Sequence, residues 1–441
     1  MSVDFTYRVR IEHRPGRLAK VIDAIAESDG LIGEVRTCDL TRGHSIRELT
    51  VEVGDADRAE ELRERIDSID GVDVEWSRDR ALMRHEGGKL VVEPVRPVES
   101  VQDMRDVYTP GVAHACEAIA EDPDAARSYT MIGRSVAICT NGTRVLGLGD
   151  IGPRAAMPVM EGKAVFYRQL AGISAFPILV DATDPDEFVD TVVRIAPTFG
   201  GIHLEDISAP ECFEIESRLI DALDQPVMHD DVHGTAVVVL AAALCACART
   251  GTELGDATVG HLGLGAAGYG IASLMVEAGA ERVVGFDPDT DNAERASERG
   301  VETVDEVDAV IDAADLLVAT TGRADSIDPG RIRDGQIVLA LSNPDPEIEP
   351  ALAREAGAAF AADGSMVNNV LGYPGIFRGA LLAGAPRIES EMKLAAARTL
   401  SELAGEDRIV PDVLDREVHE RVAEAVRGAA PEREAAGSAR R

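Results

Sequence analysis

Six residues in the second half constrain the chain most. Gly263-Leu264-Gly265-Ala266-Ala267-Gly268 follows directly on a strand-like run, Thr258–Leu262, and opens a helical pattern that continues to residue 278. The next strand-like run, Arg282–Phe286, ends in Asp287. A bare G-x-G-x-x-G is a weak signal, but strand, glycine turn, helix, strand and an acidic residue about 20 positions on form the full dinucleotide fingerprint. The glycines let a pyrophosphate come down on free N–H groups at a helix N-terminus, where the backbone dipole favours an anion. Asp287 would accept both ribose hydroxyls, whereas a 2′-phosphate would meet Asp287 and Asp289 with no Arg or Lys nearby. The expected cofactor is therefore NAD rather than NADP, held by Gly263, Gly265, Ala266, Ala267, Gly268 and Asp287. The fold class that follows is α/β, with a doubly wound parallel sheet of Rossmann type over residues 251–428. Two further strands in this region run into Thr320-Thr321-Gly322 and Ser342-Asn343-Pro344, polar turns expected to face the ligand at the carboxyl ends of the strands.

A second signal lies in residues 200–235. Two acidic pairs, Glu205-Asp206 and Asp230-Asp231, each follow a short apolar run and so are expected at strand ends. There the carboxylates can converge on one hard cation, Mg2+ or Mn2+, through oxygen ligands. His229 and His233 stand four apart and imitate the zinc helix H-E-x-x-H. The strand-like run before His229 and the glycine directly after His233 argue against one shared helix face. In so acidic a chain, four solvated carboxylates are the competing account. Lys163 lies in Met160-Glu161-Gly162-Lys163-Ala164, and only four lysines occur among 44 basic residues. One flanked by glycine and alanine instead of carboxylates is a candidate for chemistry, with an ordinary structural lysine as the alternative.

At 441 residues the chain is long for one domain, and its net charge of −35 excludes nucleic acid and anionic membrane as natural partners. A lysine-poor, strongly acidic surface is expected of a protein adapted to high salt, where self-repulsion is screened. Six cysteines without a C-x-x-C pair point to reduced thiols and a cytoplasmic location. The polar first ten residues do not read as a signal peptide. Residues 236–248 form an apolar run too short for a membrane span and are expected as a buried helix. Residues 1–80 alternate as strand, helix, strand, strand, helix, strand, a ferredoxin-like βαββαβ unit. A linker over 81–100 follows, and residues 136–146 read as a hairpin about Asn141-Gly142. The tail over 429–441 has the composition of a disordered segment.

Taken in order, YTPG from Tyr108, VLGLGDIGP, MEGKA, FGGIHLEDI, HDD-x-HGT, GLGAAG, NPDPEI and NNVLGYPGIFRGAL form a set that resembles the malic enzymes over residues 86–405. With R-P-G-R-L at its first turn, the N-terminal unit resembles an ACT domain, a module that often binds amino acids at paired copies. The resemblance implies a malic-enzyme catalytic domain over 101–250 and oxidative decarboxylation of malate to pyruvate. It implies Glu205, Asp206 and Asp231 as metal ligands with Asp230 behind them, Lys163 as general base and Tyr108 as general acid. Arg144, Asn343 and Asn369 are implied as substrate contacts. A homodimer or larger homo-oligomer with an amino-acid effector is implied by the ACT likeness. Two other readings stay open: a malolactic-type or related hydroxy-acid dehydrogenase on the same residues, and a non-catalytic sensor of NAD and an amino acid.

Overall fold

The computed structural model describes residues 2–145, 147–405 and 408–431. Most of the tail expected to be disordered, residues 432–441, lies outside them. The chain forms two compact units, one ending at Val91 and one beginning at Val92.

In the first unit β1 (Val3–Glu12), α1 (Arg17–Ala26), β2 (Leu31–Leu40), β3 (His44–Val53), α2 (Ala56–Asp67) and β4 (Val72–Asp79) follow in turn, with the short helix α3 (Arg80–His85) after them. The sheet order is β2-β3-β1-β4, antiparallel throughout. Strict alternation places Tyr7, Val9, Ile11, Leu49 and Val51 against Val21, Ile25, Leu62 and Ile66 of the two helices. The opposite face carries a ladder of ion pairs, Arg8 with Glu48 at 2.7 Å and with Glu75 at 3.0 Å, and Arg10 with Glu75 at 2.8 Å. Strand β2 lies at the sheet edge and is exposed along its whole length, including Leu31, Ile32, Val35 and Leu40.

The second unit opens with three short helices, α4 (Val101–Val107), α5 (Val112–Glu121) and α6 (Ala126–Tyr129), none with a buried residue. A parallel sheet follows through β5 (Ser135–Thr140), α7 (Gly152–Phe166), β6 (Ser174–Leu179), α8 (Pro185–Ile195), β7 (Gly201–Leu204), α9 (Glu211–Ala222), β8 (Val227–His229) and α10 (Thr235–Thr250). Its strand order is β6-β5-β7-β8. The hairpin expected about Asn141-Gly142 does not form, because β5 pairs in parallel with both β6 and β7. Asn141 turns its side chain onto Thr143, and a Cβ on Gly142 would stand 2.3 Å from the Gly152 carbonyl oxygen. The glycine serves a close packing of this loop on the start of α7, not a chain reversal.

The third layer runs through β9 (Thr258–Leu262), α11 (Ala266–Glu277), β10 (Arg282–Phe286), α12 (Thr290–Ser297), β11 (Glu302–Thr303), α13 (Val307–Ala313), β12 (Leu316–Ala319), β13 (Ile337–Ala340), α14 (Pro350–Glu355) and β14 (Phe360–Asp363). The sheet is parallel in the order β11-β10-β9-β12-β13-β14, the Rossmann arrangement, with its topological switch between β9 and β12. Helices α15 (Tyr373–Ala383), α16 (Ser390–Leu403) and α17 (Arg416–Ala429) then pack back on α10 and on one another.

Helix α10 is the common centre. Its Ala236 to Ala243 are buried in a single core with Val136 and Ile138 of β5, Val259 of β9, Leu316 of β12, and Phe377 and Val422 of the closing helices. The helical stretch around it is longer than expected from the sequence. It runs without a break from Asp230 to Thr250, 21 residues; an 18-residue stretch within it has a mean hydropathy of 1.8, long and apolar enough to cross a membrane, yet 72% of that stretch is buried inside the protein.

Candidate active site

Strands β7 and β8 are parallel neighbours in register, Leu204 beside His229, so the residues after each strand emerge side by side. Glu205 and Asp206 leave β7, while Asp230 and Asp231 open a π-helical turn, Asp230–Gly234, that leads into α10. Lys163 enters from the last turn of α7, with its Nζ 2.6 Å from Asp230 Oδ2 and 3.0 Å from Glu205 Oε1. Gly234 is needed here, since a Cβ there would lie 1.7 Å from Asp230 Oδ1.

Glu205, Asp206 and Asp231 each bring an oxygen within 4.8 Å of the others. Asp206 adopts a left-handed backbone conformation, φ 53°, a non-glycine strain of roughly 1–3 kcal/mol, and its Oδ2 is buried without a partner. An all-oxygen set with an orphaned carboxylate oxygen fits a hard divalent cation. Charge agrees: four carboxylates converge on one ammonium. Burial first, and then neighbouring carboxylates, push Asp206 up to about 8. Burial likewise raises Glu205 to about 8 and Asp230 to about 6, although Lys163 opposes it in both. Lys163 itself does not show the fall expected of a general base. Burial pulls its pKa down, but Asp230 and Glu205 outweigh burial and hold it well above the ordinary lysine value.

The zinc-helix alternative fails on geometry. His229 belongs to β8, and His233 in the following turn gives its Nε2 to Glu216 at 3.1 Å.

On the dinucleotide side, Gly263 (φ 87°) packs so closely that a Cβ would meet the Thr320 carbonyl oxygen at 2.7 Å. On Gly268 a Cβ would sit 1.8 Å from the Gly263 oxygen. Gly265 faces open space at the start of α11, the space a pyrophosphate needs over Ala266 and Ala267. Asp287 accepts the Leu264 N–H at 2.6 Å, which ties the end of β10 to the glycine turn. A Cβ on Gly270 of α11 would strike the Val232 carbonyl oxygen at 2.1 Å, so the dinucleotide helix and the Asp230–Gly234 turn lie back to back.

Of the other residues singled out in the sequence, Arg144 borders the carboxylates, its N–H donating to the Asp206 carbonyl at 3.1 Å. Asn343 is exposed in the turn after β13, and Asn369, half-buried, opens the turn before α15. Tyr108 is not brought to Lys163: it stands 70% exposed at the end of α4.

Three buried residues escape sequence reasoning. Glu347 accepts hydrogen bonds from Thr321 N, Thr321 Oγ1, Ser342 N and Ser342 Oγ, and so ties together the turns after β12 and β13. Glu216 accepts from the His229 N–H at 2.7 Å and His233. His203 contacts Glu205 from beneath. Glu347 could have been noticed in N-P-D-P-E-I, while His203 is hidden in an apolar strand and Glu216 among the other charges of α9.

A Rossmann cradle whose first helix rests on a turn of oxygen ligands beside a buried lysine defines a class, the metal-assisted oxidoreductases of a nicotinamide dinucleotide. The family model "Malic enzyme, N-terminal domain" matches residues 87–220. The chain is 47% identical over 417 residues to "NAD-dependent malic enzyme 1" of Bacillus subtilis, covering 94% of this chain and 95% of that one. It is 40% identical over 448 residues to "NAD-dependent malic enzyme" of Geobacillus stearothermophilus, with 96% and 94% covered. A crystal structure of malic enzyme from Pyrococcus horikoshii superposes with a TM-score of 0.76 at 38% identity, covering 80% of this chain and 92% of that one. This chain belongs to the malic enzyme family.

Proposed function

We propose that the chain converts (S)-malate to pyruvate and CO2 with reduction of NAD, in the presence of Mg2+ or Mn2+. The observation that carries this is Lys163, buried between Asp230 and Glu205 at the rim of the oxygen-ligand set. Glu205, Asp206 and Asp231 would hold the divalent cation, which supplies Lewis-acid polarisation of the substrate oxygens when bound. NAD, over Gly263, Gly265, Ala266, Ala267 and Gly268 with Asp287 at its ribose, supplies the hydride acceptor.

Lys163 takes the proton of the substrate's C2 hydroxyl. To do so it must be neutral, and neutralisation of the surrounding carboxylates is what frees it. With their pull reduced, burial becomes the larger influence and lowers the lysine's pKa toward the working pH. Asp230, hydrogen-bonded to Lys163, orients the amine and receives its charge. Arg144, Asn343 and Asn369 take the substrate carboxylates. Tyr108 gives the proton to the carbon left after CO2 departs, a role that rests on its Y-T-P-G motif and requires its exposed segment to close on the lysine.

We read the N-terminal unit as an ACT domain, on the strength of its βαββαβ order and the turn at Gly16 that opens α1. It would seat an amino-acid effector and pair with a second copy in a homodimer or larger assembly. The acidic, lysine-poor composition supports a halophilic source and a cytoplasmic setting.

The test is NADH formation with malate and Mn2+, with pyruvate and CO2 measured in parallel. Lactate without net NADH would mark a malolactic-type reaction, and no turnover at all would mark a sensor.

A further inference from the structure

We infer that His203 is a positioning residue, the middle link of a chain Tyr167–His203–Glu205 that aims the Glu205 carboxylate at the cation. The inference rests on the cation site proposed above.

His203 is the third residue of β7 and is fully buried. Its neighbours Ile202 and Leu204 point into the smaller core between β7, α8 and α9, so alternation sends His203 to the other face of the sheet. There it meets an aromatic nest, with ring centroids 5.7 Å from Tyr167, 5.3 Å from Tyr373 and 5.7 Å from Phe377. An imidazole in such a nest is costly unless both nitrogens are paired. Both are: Nδ1 lies 2.9 Å from the Tyr167 hydroxyl and Nε2 lies 2.7 Å from Glu205 Oε2. The ionised carboxylate that would hold a cation only accepts, so in the loaded site the network assigns the proton to Nε2, and Nδ1 accepts from the Tyr167 O–H.

Glu205 is thereby held at both oxygens. Lys163 takes Oε1 at 3.0 Å and His203 takes Oε2. Packing alone would be served as well by a phenylalanine, which could not make the second contact. Nor is His203 a cation ligand itself. It forms a close trio with Glu205 and Asp230, but the Lys163 ammonium already sits within 3.0 Å of both carboxylates and supplies the positive charge of that space. Outer residues of this kind, which orient a metal-binding side chain, typically change metal affinity 10- to 100-fold when removed.

The experiment is Mn2+ titration of the full chain by the paramagnetic resonance of free Mn2+, without malate or NAD. NAD binding, followed by fluorescence, serves as the control for folding. His203→Phe is expected to weaken Mn2+ binding about 10- to 100-fold while leaving NAD affinity within about twofold. His203→Gln, which retains a donor, should recover part of the loss. Tyr167→Phe, which removes one hydroxyl and leaves the ring, should weaken binding in the same direction by less. Asp231→Asn separates the two layers of argument. If it has lost Mn2+ binding while His203→Phe binds as the wild type does, the inference is overturned and the cation site stands. If Asp231→Asn also binds normally, the cation site itself is wrong. A His203→Gln variant as weak as His203→Phe assigns the residue to packing and overturns the inference too.

Discussion

At Lys163 burial and charge pull in opposite directions, and the chemistry depends on which prevails. Asp230 and Glu205 hold the amine's pKa high, so in the mechanism proposed above the base would become available only in the loaded site. Lys163→Ala should lower malate oxidation by about two to four orders of magnitude while decarboxylation of added oxaloacetate, measured by CO2 release, persists. Tyr108→Phe should instead impair proton delivery to carbon, seen as slowed solvent-deuterium incorporation into pyruvate; full activity in either variant removes that residue from the mechanism. Glu216 invites a test by pH. Burial would raise its carboxyl, but His233 and the His229 N–H draw it down to about 2. A folded pKa below the unfolded one means stability that is present above the ordinary glutamate value, near 4.3, and is lost as pH falls toward 2. On the order of 3 kcal/mol is at stake, from about two pKa units. Urea unfolding of wild type and Glu216→Gln should therefore differ most at pH 6 to 7, with the gap narrowing below about pH 4.3 and closing only toward about pH 2; a constant gap would contradict the shift.

Elements were legible where periodicity alone decides them. Strands β9, β10 and β12 fall where their apolar runs were read, since each is bounded by turn residues and buried on both faces. The Asn141-Gly142 pair misled because a tight-turn dipeptide reads the same whether the chain reverses or exits a parallel strand. The acidic pairs were visible because charge directly after an apolar run has few structural uses. His203, Glu216 and Glu347 were not, because His203 sits in an apolar strand, the two glutamates look like their charged neighbours, and each finds its main partners through the fold. Tyr108 shows the opposite limit, since its motif was plain and its placement was not. At this scale the two carboxylate-bearing turns belong to the β6-β5-β7-β8 sheet and the glycine turn to the Rossmann sheet. Asp231→Asn and Glu205→Gln should then raise the Mn2+ requirement by more than the about 10- to 100-fold typical of residues that only orient a ligand, with NAD affinity largely kept. Metal titration with cofactor fluorescence checks this, and loss of both together would mean that the variants disturb the fold.

The whole molecule offers one clean division, after the first unit. Removal of residues 1–91 should leave an enzyme that folds and turns over malate but has lost any response to amino acids. Typical coupling of such an effector would be about 1 to 3 kcal/mol, roughly 5- to 150-fold in affinity. A truncated enzyme that still responds, or a full-length enzyme unmoved by every amino acid, would leave the unit a purely architectural role. Within the larger unit there is no comparable division. Helix α10 is buried at once against the sheet that carries the converging carboxylates and the sheet that carries the glycine turn. A gene broken at Gly251, where α10 ends, would therefore strand this apolar helix with half its covering missing. Exchange of the dinucleotide half with another family by recombination would have to rebuild the same buried surface around α10 in one step.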